Sequence, residues 1–264
     1  MELKEVIGRR RSIRFVRPYK DVEKEKIQIM LEAARLASHS GNVQSLNAVA
    51  VFRNEADPEV LDKIASAING WQVKIAPVVI IWYLETEAVM DQANRLRELV
   101  KCGATGFGKI EETLEGLEKT IIPFFEGILE SMREGPLGYI DAGQGIAQAT
   151  LAAYEMGLGT CLLGTANPEE LLKVIGAPES ARPLVLQTVG YPAEHWESGG
   201  QRPRLPFGQR FKINHCDNEF PRDEGIVAKL TEDKMFTTPA PMPDREEELA
   251  WLKDALKLEG LGLI

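Results

Sequence analysis

Residues 77–84 read Pro-Val-Val-Ile-Ile-Trp-Tyr-Leu and form the longest apolar run of this 264-residue chain. The run is far too short to cross a bilayer, which takes about 20 residues in a helix. A short apolar run that begins at a proline is typical of a strand buried on both faces. We therefore predict that residues 78–84 form such a strand, with no membrane span in this part of the chain.

The segments on either side of this run alternate between helical and strand patterns. An apolar repeat at helical spacing indicates a helix at residues 22–37, with Asp21 as its N-cap. The stretch 144–156 is rich in small residues, which favours a helix with close backbone approach that ends at Gly157 in the C′ position. Further predicted elements are helices at 58–68 and 168–175 and strands at 47–52 and 184–189. Strands separated by helices indicate a mixed α and β domain.

Two regions depart from this pattern. From about residue 86 to 135 the composition becomes charged and helical, which we interpret as an insertion that forms a lid on the domain. Residues 213–264 form a looser C-terminal extension with three spaced prolines and a final helix that begins at Asp244. Asp244 and Glu247 resemble a capping box. Leu249, Leu252 and Leu256 give the helix an apolar stripe, so we expect it to dock on its own domain or on a partner subunit.

Composition excludes several classes of protein. A hydrophobic fraction of 44% and a charged fraction of 27% are typical of soluble globular proteins. The net charge of −9 argues against a general nucleic-acid binder, because such binding depends on neutralising phosphates. No apolar segment follows the N-terminal charges, so we expect no secretory signal. Cys102, Cys161 and Cys216 are odd in number and far apart, which indicates free, buried thiols in a reducing cytoplasm.

Against this acidic background the arginines are clustered. Residues 9–14 read Arg-Arg-Arg-Ser-Ile-Arg, and a second pair, Arg202 and Arg204, lies far along the chain. The planar guanidinium group suits a phosphate, and each charge-assisted hydrogen bond contributes about 1.5–3 kcal/mol. The two groups could converge on one phosphate in the fold. The alternative, that both are solvated surface patches, stays open on composition alone.

Other motifs do not indicate a catalytic centre. Residues 103–109 (Gly-Ala-Thr-Gly-Phe-Gly-Lys) match most of a P-loop, but Ile110 stands where a hydroxyl must bind magnesium, and no apolar strand precedes the glycines. His39, His195 and His215 are scattered and form no ligand or triad pattern. A cofactor that supplies its own chemistry would explain why no catalytic side chains are evident.

Several motifs occur in a fixed order along the chain. The arginine-serine start is followed by a helix and then by Ser-His-Ser-Gly-Asn-Val-Gln at residues 38–44. Residues 155–164 contain Glu-Met-Gly-Leu-Gly-Thr-Cys and then Leu-Gly, and Gly-Tyr-Pro at 190–192 precedes Arg-Pro-Arg-Leu-Pro at 202–206. Together these motifs resemble the opening, the second signature and the third signature of the FMN-dependent nitroreductase family. The resemblance covers roughly residues 5–207.

This resemblance implies an α+β nitroreductase-like fold, in which helices flank a central mixed or antiparallel sheet. It implies an obligate homodimer with active sites at the interface, FMN as cofactor and NAD(P)H as electron donor. Residues 1–212 would be the FMN-binding domain. The resemblance implies that the FMN phosphate and ribityl chain contact Arg10, Arg11, Ser12, Arg14, Arg202 and Arg204. The other subunit would contribute Ser38, His39, Ser40 and Asn42. Asn69 and Gln72 would lie near the pyrimidine edge of the ring, and the backbone N–H groups of Leu163 and Gly164 would face flavin N5.

The chain also departs from the family pattern. Ser38 stands where proline is usual, His39 where serine is usual, and Ser45 and Leu46 replace Pro-Trp. Gln72 occupies a place where many members carry lysine, so other donors would have to stabilise reduced flavin. These departures concern the substrate and electron acceptor more than flavin binding.

The resulting hypothesis is an FMN-dependent oxidoreductase in which NAD(P)H reduces the flavin by hydride transfer to N5. A nitroaromatic, quinone or similar small-molecule acceptor would then take the electrons by a ping-pong route. Two alternatives stay open: a relative that binds FMN and remodels it or another substrate without nicotinamide turnover, and a non-enzymatic interaction protein. We expect a cytoplasmic protein that binds neither nucleic acid nor membrane.

Overall fold

The computed structural model describes residues 2–65, 70–164 and 167–258. Short 3₁₀ segments occupy Ser40–Asn42 and Thr86–Asp91, and Leu117–Ile121 is a π-helical turn. The elements, in chain order, are α1 (Leu3–Arg9), α2 (Lys24–Arg35), β1 (Leu46–Phe52), α3 (Pro58–Ile64), α4 (Gly70–Ile75), β2 (Val78–Glu85), α5 (Gln92–Lys101), α6 (Ile110–Gly116), α7 (Ile122–Glu134), α8 (Leu137–Glu155), β3 (Gly159–Leu163), α9 (Pro168–Val174), β4 (Ala181–Gly190), α10 (Phe207–Arg210), α11 (Glu224–Glu232) and α12 (Arg245–Ala255).

The four strands within the described residues form one sheet in the order β1-β2-β4-β3. Every neighbouring pair is antiparallel, and the register shifts once between β2 and β4, at Trp82 and Tyr83. The expected α+β class with helices flanking a central sheet is confirmed. The sequence left open whether the sheet is mixed or antiparallel, and the described strands form an antiparallel sheet.

Strand β2 is buried on both faces, as its apolar sequence predicts. Val79 and Ile81 point to one side of the sheet, where α3, α4 and α9 pack. Ile80 and Trp82 point to the other side, where α2 and α8 pack. Because strand side chains alternate between faces, one continuous apolar run supplies both halves of the core.

Helices α2 and α8 lie very close together. A Cβ atom built on Gly145 would lie 3.1 Å from the carbonyl oxygen of Ala34 and even closer to Leu46. Ala149 and Ala153 of α8 are completely buried in the same layer. The small residues of α8 therefore permit the close backbone approach that the sequence predicts.

The predicted N-cap of α2 is wrong, the predicted start of the final helix at Asp244 is confirmed without its side-chain cap, and the predicted end of α8 is confirmed. Helix α2 begins after Glu23, and Asp21 instead accepts a hydrogen bond from Asn54 at 2.5 Å. Asp244 precedes α12 with a φ of 63° and makes no capping hydrogen bond through its side chain. A residue that caps a helix through its side chain normally has an extended backbone, which Asp244 lacks, and no capping box forms. Gly157 follows α8 with a φ of 80°, as expected at C′.

The insertion and the C-terminal extension each have a small apolar cluster. In the insertion, Leu96, Val100, Leu117 and Ile122 pack together. In the extension, Leu252 and Leu258 pack on Phe15 and Trp71 of the same chain, while Leu249 stays exposed. Only part of the expected apolar stripe of α12 is therefore buried.

The cysteines correct one expectation. Cys161 is buried, whereas Cys102 and Cys216 are exposed, because they lie in surface loops of the insertion and the extension. Burial raises the pKa of the Cys161 thiol. No helix within the described ranges is both long enough and apolar enough to cross a membrane.

Candidate functional site

Both arginine groups line a single cleft of about 750 Å³, which we call the arginine cleft. It lies between the N-terminal segment, the loop that follows β4 and the start of the C-terminal extension. Its lining residues are Ile7, Gly8, Arg10, Arg11, Ser12, Arg14, Gln201, Arg202, Arg204, Met235 and Phe236. Residues from both ends of the sequence thus share one cavity.

The N-terminal side of the cleft is fixed to the edge of the sheet. Ser12 forms a parallel bridge with Thr160 of β3, and the Ile13 amide donates to the Thr160 carbonyl at 2.9 Å. A Cβ atom on Gly159 would lie 2.7 Å from Ile13, so only glycine permits this approach. Strand β3 therefore determines where Ser12 and Arg14 lie.

The opposite side is a tight turn with left-handed backbone. Ser198, Gly199 and Gly200 have φ values of 45°, 84° and 108°. This conformation turns the Gly200 carbonyl towards two guanidinium groups, and it accepts from Arg11 Nε at 3.2 Å and from Arg202 Nη1 at 3.0 Å. The turn thereby joins the two arginine groups through one carbonyl oxygen.

Arg11 differs from the other cleft arginines because its side chain is buried and already bonded. It donates to the carbonyls of Gly8 and Arg10 at 2.6 and 2.9 Å and to Thr237 Oγ1 at 2.7 Å, besides Gly200. These bonds tie α1 to the C-terminal extension. Arg11 therefore stabilises the wall of the cleft, and few of its N–H groups remain free to bind a ligand.

The remaining cleft arginines lack acidic partners. Among the described residues, Arg10, Arg14, Arg202 and Arg204 form no ion pair, and no carboxylate lines the cleft. Burial lowers the pKa of Arg10, and the charge of Arg204 lowers it further. Burial also lowers the pKa of Arg202, and repulsion by Arg14 and Arg245 adds to this effect, which the nearby Glu194 carboxylate only partly offsets. The cleft is a concentrated positive field that an anion would relieve.

The loop at residues 38–42 lies outside the arginine cleft. The Ser40 amide donates to Asp141 of α8 at 2.7 Å, and Gln92 of the insertion donates to the Gly41 carbonyl at 3.0 Å. Ser38 is exposed and Asn42 is half-buried with a φ of 58°. His39 Nε2 is buried without a partner within the described part of the chain. Two neighbouring elements thus hold the loop in place, outside the arginine cleft of the same chain.

The other predicted flavin contacts are more dispersed. Gln72 is buried on α4, next to the Trp71 ring that packs on Phe15, and it does not line the arginine cleft. Its Oε1 has no partner among the described residues. Asn69 lies outside the residues that the structure describes. Leu163 ends β3 in a buried position, and Gly164 follows it on the surface.

An apolar cleft of about 660 Å³ adjoins the arginine cleft, and Ile7 and Arg10 line both. Its walls come from α8, β4 and Leu162. Near it, α8 exposes Tyr139 and Ile140. Sequence reasoning did not identify this cleft, although the apolar residues at the start of α8 carry its signal.

Sequence reasoning assigned the C-terminal extension to the acceptor pocket but did not predict that it lines the arginine cleft. Met235 and Phe236 form part of the cleft wall, and the Gln201 amide holds this segment by donating to the Thr238 carbonyl at 2.7 Å. No motif marks these residues. In the described ranges, no group of three His, Cys, Asp or Glu side chains could hold a metal ion.

Comparison with known proteins shows the family of the chain. The model of the Nitroreductase family matches residues 7–191. The chain is 28% identical over 228 residues to an FMN reductase [NAD(P)H] of Bacillus subtilis strain 168, covering 84% of this chain and 77% of that protein. It is 30% identical over 208 residues to an NADH dehydrogenase of Thermus thermophilus, covering 78% of this chain and 93% of that protein.

Solved structures show the same fold. A nitroreductase in complex with FMN from Exiguobacterium sibiricum 255-15 superposes with a TM-score of 0.64 at 22% identity, covering 78% of this chain and 94% of that one. A nitroreductase family protein from Streptococcus pneumoniae TIGR4 superposes with a TM-score of 0.62 at 26% identity, covering 81% and 100%.

Proposed function

Because the chain belongs to the nitroreductase family, we propose that this oxidoreductase binds FMN and oxidises NAD(P)H. The observation that carries the proposal is the arginine cleft, where Arg10, Arg14, Arg202 and Arg204 face one cavity without acidic partners. A phosphate monoester carries the complementary charge and fits the planar donor geometry of guanidinium groups. The relative in B. subtilis is named for FMN and NAD(P)H, which agrees with this assignment.

The residues present fit the phosphate end of FMN. The lowered pKa values of Arg10 and Arg202 reflect burial first and then crowding by like charge. In this proposal Ser12, Arg10 and Arg14 hold the phosphate from one side and Arg202 and Arg204 from the other. Arg11 keeps the two sides at a fixed separation through its bonds to Gly8, Gly200 and Thr237.

Bound FMN would supply two-electron chemistry, accepting a hydride at N5 and later reducing a nitroaromatic, quinone or similar acceptor by a ping-pong route. The chain would orient the ring and donate backbone hydrogen bonds. Gly164 suits this role, because it follows the last paired residue of β3 and lies on the surface. Gln72, Asn69 and Leu163 are proposed contacts on the ground of the family pattern. The insertion at residues 86–135 and the extension would shape the acceptor pocket.

We further propose that the working species is a homodimer. The loop of Ser38, His39, Ser40 and Asn42 is held by Asp141 and Gln92 and lies outside its own arginine cleft, which supports its use by a second chain. The exposed apolar residues of α8 and the adjoining apolar cleft offer a surface that a partner would cover. Sedimentation equilibrium of the FMN-loaded protein should give a dimer, and a flavin-loaded monomer would contradict the proposal.

An anaerobic stopped-flow experiment tests the activity directly. The FMN-loaded protein is mixed with NADH or with NADPH, and the absorbance of oxidised flavin is followed. We expect rapid bleaching with at least one nicotinamide, followed by recovery of absorbance when a quinone is added. Tight FMN binding without bleaching would support an FMN-binding relative that does not use nicotinamide. Failure to gain a flavin spectrum would overturn the proposal as a whole.

A further inference from the structure

Glu194 is a buried carboxylate behind the arginine cleft. Its side chain is fully buried, yet both of its oxygens accept hydrogen bonds. Oε1 accepts from the backbone amides of Arg14 and Phe15 at 2.7 and 3.0 Å. Oε2 accepts from Ser198 Oγ at 2.8 Å and from Arg245 Nη2 at 2.7 Å. One carboxylate thereby fixes the backbone from which the Arg14 side chain projects.

The positive charge that balances Glu194 comes from the C-terminal extension. Arg245 is the first residue of α12, and its side chain is 15% exposed. It also donates to Glu248 Oε2 at 2.6 Å, and Glu248 Oε1 accepts from the His195 amide at 2.5 Å. Burial raises the pKa of Glu248, but these two bonds outweigh burial and lower the pKa overall. These hydrogen bonds therefore fix helix α12 to the segment that contains Glu194.

The same network reaches the second arginine group. Ser198 donates to Glu194, and its carbonyl accepts from Arg202 Nη2 at 2.7 Å. A Cβ atom on Gly199 would lie 3.0 Å from Arg245 Nε, so the turn packs directly on that guanidinium group. Both sides of the arginine cleft are thus connected to Arg245 through a short chain of hydrogen bonds.

We infer that Arg245 and Glu194 are positioning residues for the arginine cleft, so that docking of the C-terminal extension and binding of the FMN phosphate are coupled. This inference rests on the proposed function. Without Arg245, the Glu194 carboxylate would remain buried with no cation, which is strongly unfavourable. Its bonds to the Arg14 and Phe15 amides and to Ser198 would weaken or rearrange. Arg14 and Arg202 would then no longer be held in the positions that bring both side chains into the arginine cleft.

Riboflavin separates this positioning effect from a general loss of structure, because it has the same ring as FMN and no phosphate. The variants are Arg245→Gln, Arg245→Lys and, as a control on the same helix, Lys253→Gln, which removes an exposed charge. Affinities are measured by quenching of flavin fluorescence. For Arg245→Gln we expect FMN to bind roughly tenfold more weakly, about 1.4 kcal/mol, with riboflavin unchanged. Arg245→Lys should recover most of the loss, and the control should match the wild type.

Equal losses for FMN and riboflavin, or no loss for either, would overturn the inference. If the wild-type protein itself binds FMN no more tightly than riboflavin, the phosphate assignment under the proposed function fails, which is a distinguishable result.

A second measurement uses the wild-type protein alone. Because coupling is reciprocal, FMN should slow proteolysis of the wild-type extension after residue 212, whereas riboflavin should not. Identical protection by the two flavins would contradict the coupling.

Discussion

The arginines of the cleft and those of the insertion have opposite surroundings. Arg95, Arg97 and Arg133 of the insertion all bond carboxylates on their own or neighbouring helices. Hydrogen bonds to Glu118 and Glu130 raise the pKa values of Arg97 and Arg133. In the cleft, burial and like-charge neighbours lower the pKa values of Arg10 and Arg202.

This difference supports our proposal that the cleft arginines bind a ligand. Exposed ion pairs such as those of the insertion cost little to form and contribute little to stability. Unpaired, crowded cations lower the stability of the ligand-free protein, so their presence points to a ligand that compensates them. The number of arginines alone would not distinguish the two regions, but their partners do.

The largest expected effect comes from removing two cleft arginines together. Arg14→Ala with Arg204→Ala should weaken FMN binding at least about a hundredfold, because two charge-assisted hydrogen bonds of about 1.5–3 kcal/mol each are lost. The matched control is Arg95→Ala with Arg97→Ala, which removes the same charge from the insertion and should change the affinity by less than about twofold. Fluorescence titration with FMN measures both, and equal affinities of the two double variants would remove the distinction between the regions.

An intermediate effect is expected from pH. The second pKa of a phosphate monoester is about 6, so acidification converts the FMN dianion to a monoanion while the arginines stay charged. FMN affinity should fall several-fold between about pH 7.5 and about pH 5, and riboflavin affinity should not change. An FMN affinity that is constant or rises towards acid pH would argue against a phosphate in the cleft.

The insertion should respond in a different pH range. A hydrogen bond from Arg97 lowers the pKa of Glu118, so the carboxylate is more acidic in the folded protein than in the unfolded chain. Its stabilising contribution is present above the unfolded value and is lost as the pH falls through the lower folded value. Because this ion pair is exposed, its contribution is small, and far-UV circular dichroism should show no loss of helix signal at pH values where FMN affinity is already falling.

The smallest effect concerns stability without ligand. Arg10→Met should raise the Tm of the FMN-free protein by roughly 2–4 °C, because it removes a crowded charge and leaves an apolar side chain beside the apolar cleft. Arg133→Met should lower the Tm slightly, because Glu87 and Glu130 lose their partner, whereas Glu134 keeps Arg182. Calorimetry of both variants gives the comparison, and destabilisation by Arg10→Met would show that the cleft arginines are not under repulsion.

Much of the fold follows from local sequence patterns. The β2 run is apolar from Val78 to Leu84, so its burial on both faces follows from composition alone. The convergence of Arg14 and Arg204 is also foreseeable, because clustered cations stand out in an acidic chain. The contact that joins the two arginine groups could not be predicted from the sequence. Arg11 and Arg202 both donate to the backbone carbonyl of Gly200, and a backbone carbonyl leaves no pattern in the sequence.

Other features depend on contacts that no local pattern encodes. Asp21 and Asp244 are both of a residue type that caps helices, but neither side chain caps one. Asp21 accepts a hydrogen bond from Asn54 instead, and Asp244 has a left-handed backbone. Gln72 is predicted as a flavin contact only from the family resemblance, and the structure places it in a buried position next to Trp71, whose ring packs on Phe15. The wall that contains Met235 depends on single hydrogen bonds between Gln201 and backbone carbonyls, which have no periodicity.

The participation of the extension in the cleft has a consequence for biosynthesis. Arg10 and Arg14 precede Met235, Phe236 and Arg245 in the chain, so the ribosome synthesises the two arginines first. During synthesis the arginine cleft therefore lacks one wall until residues 235 and 236 have been added. Under the proposed function, a nascent chain that has not reached these residues would have an incomplete phosphate site and would bind FMN weakly.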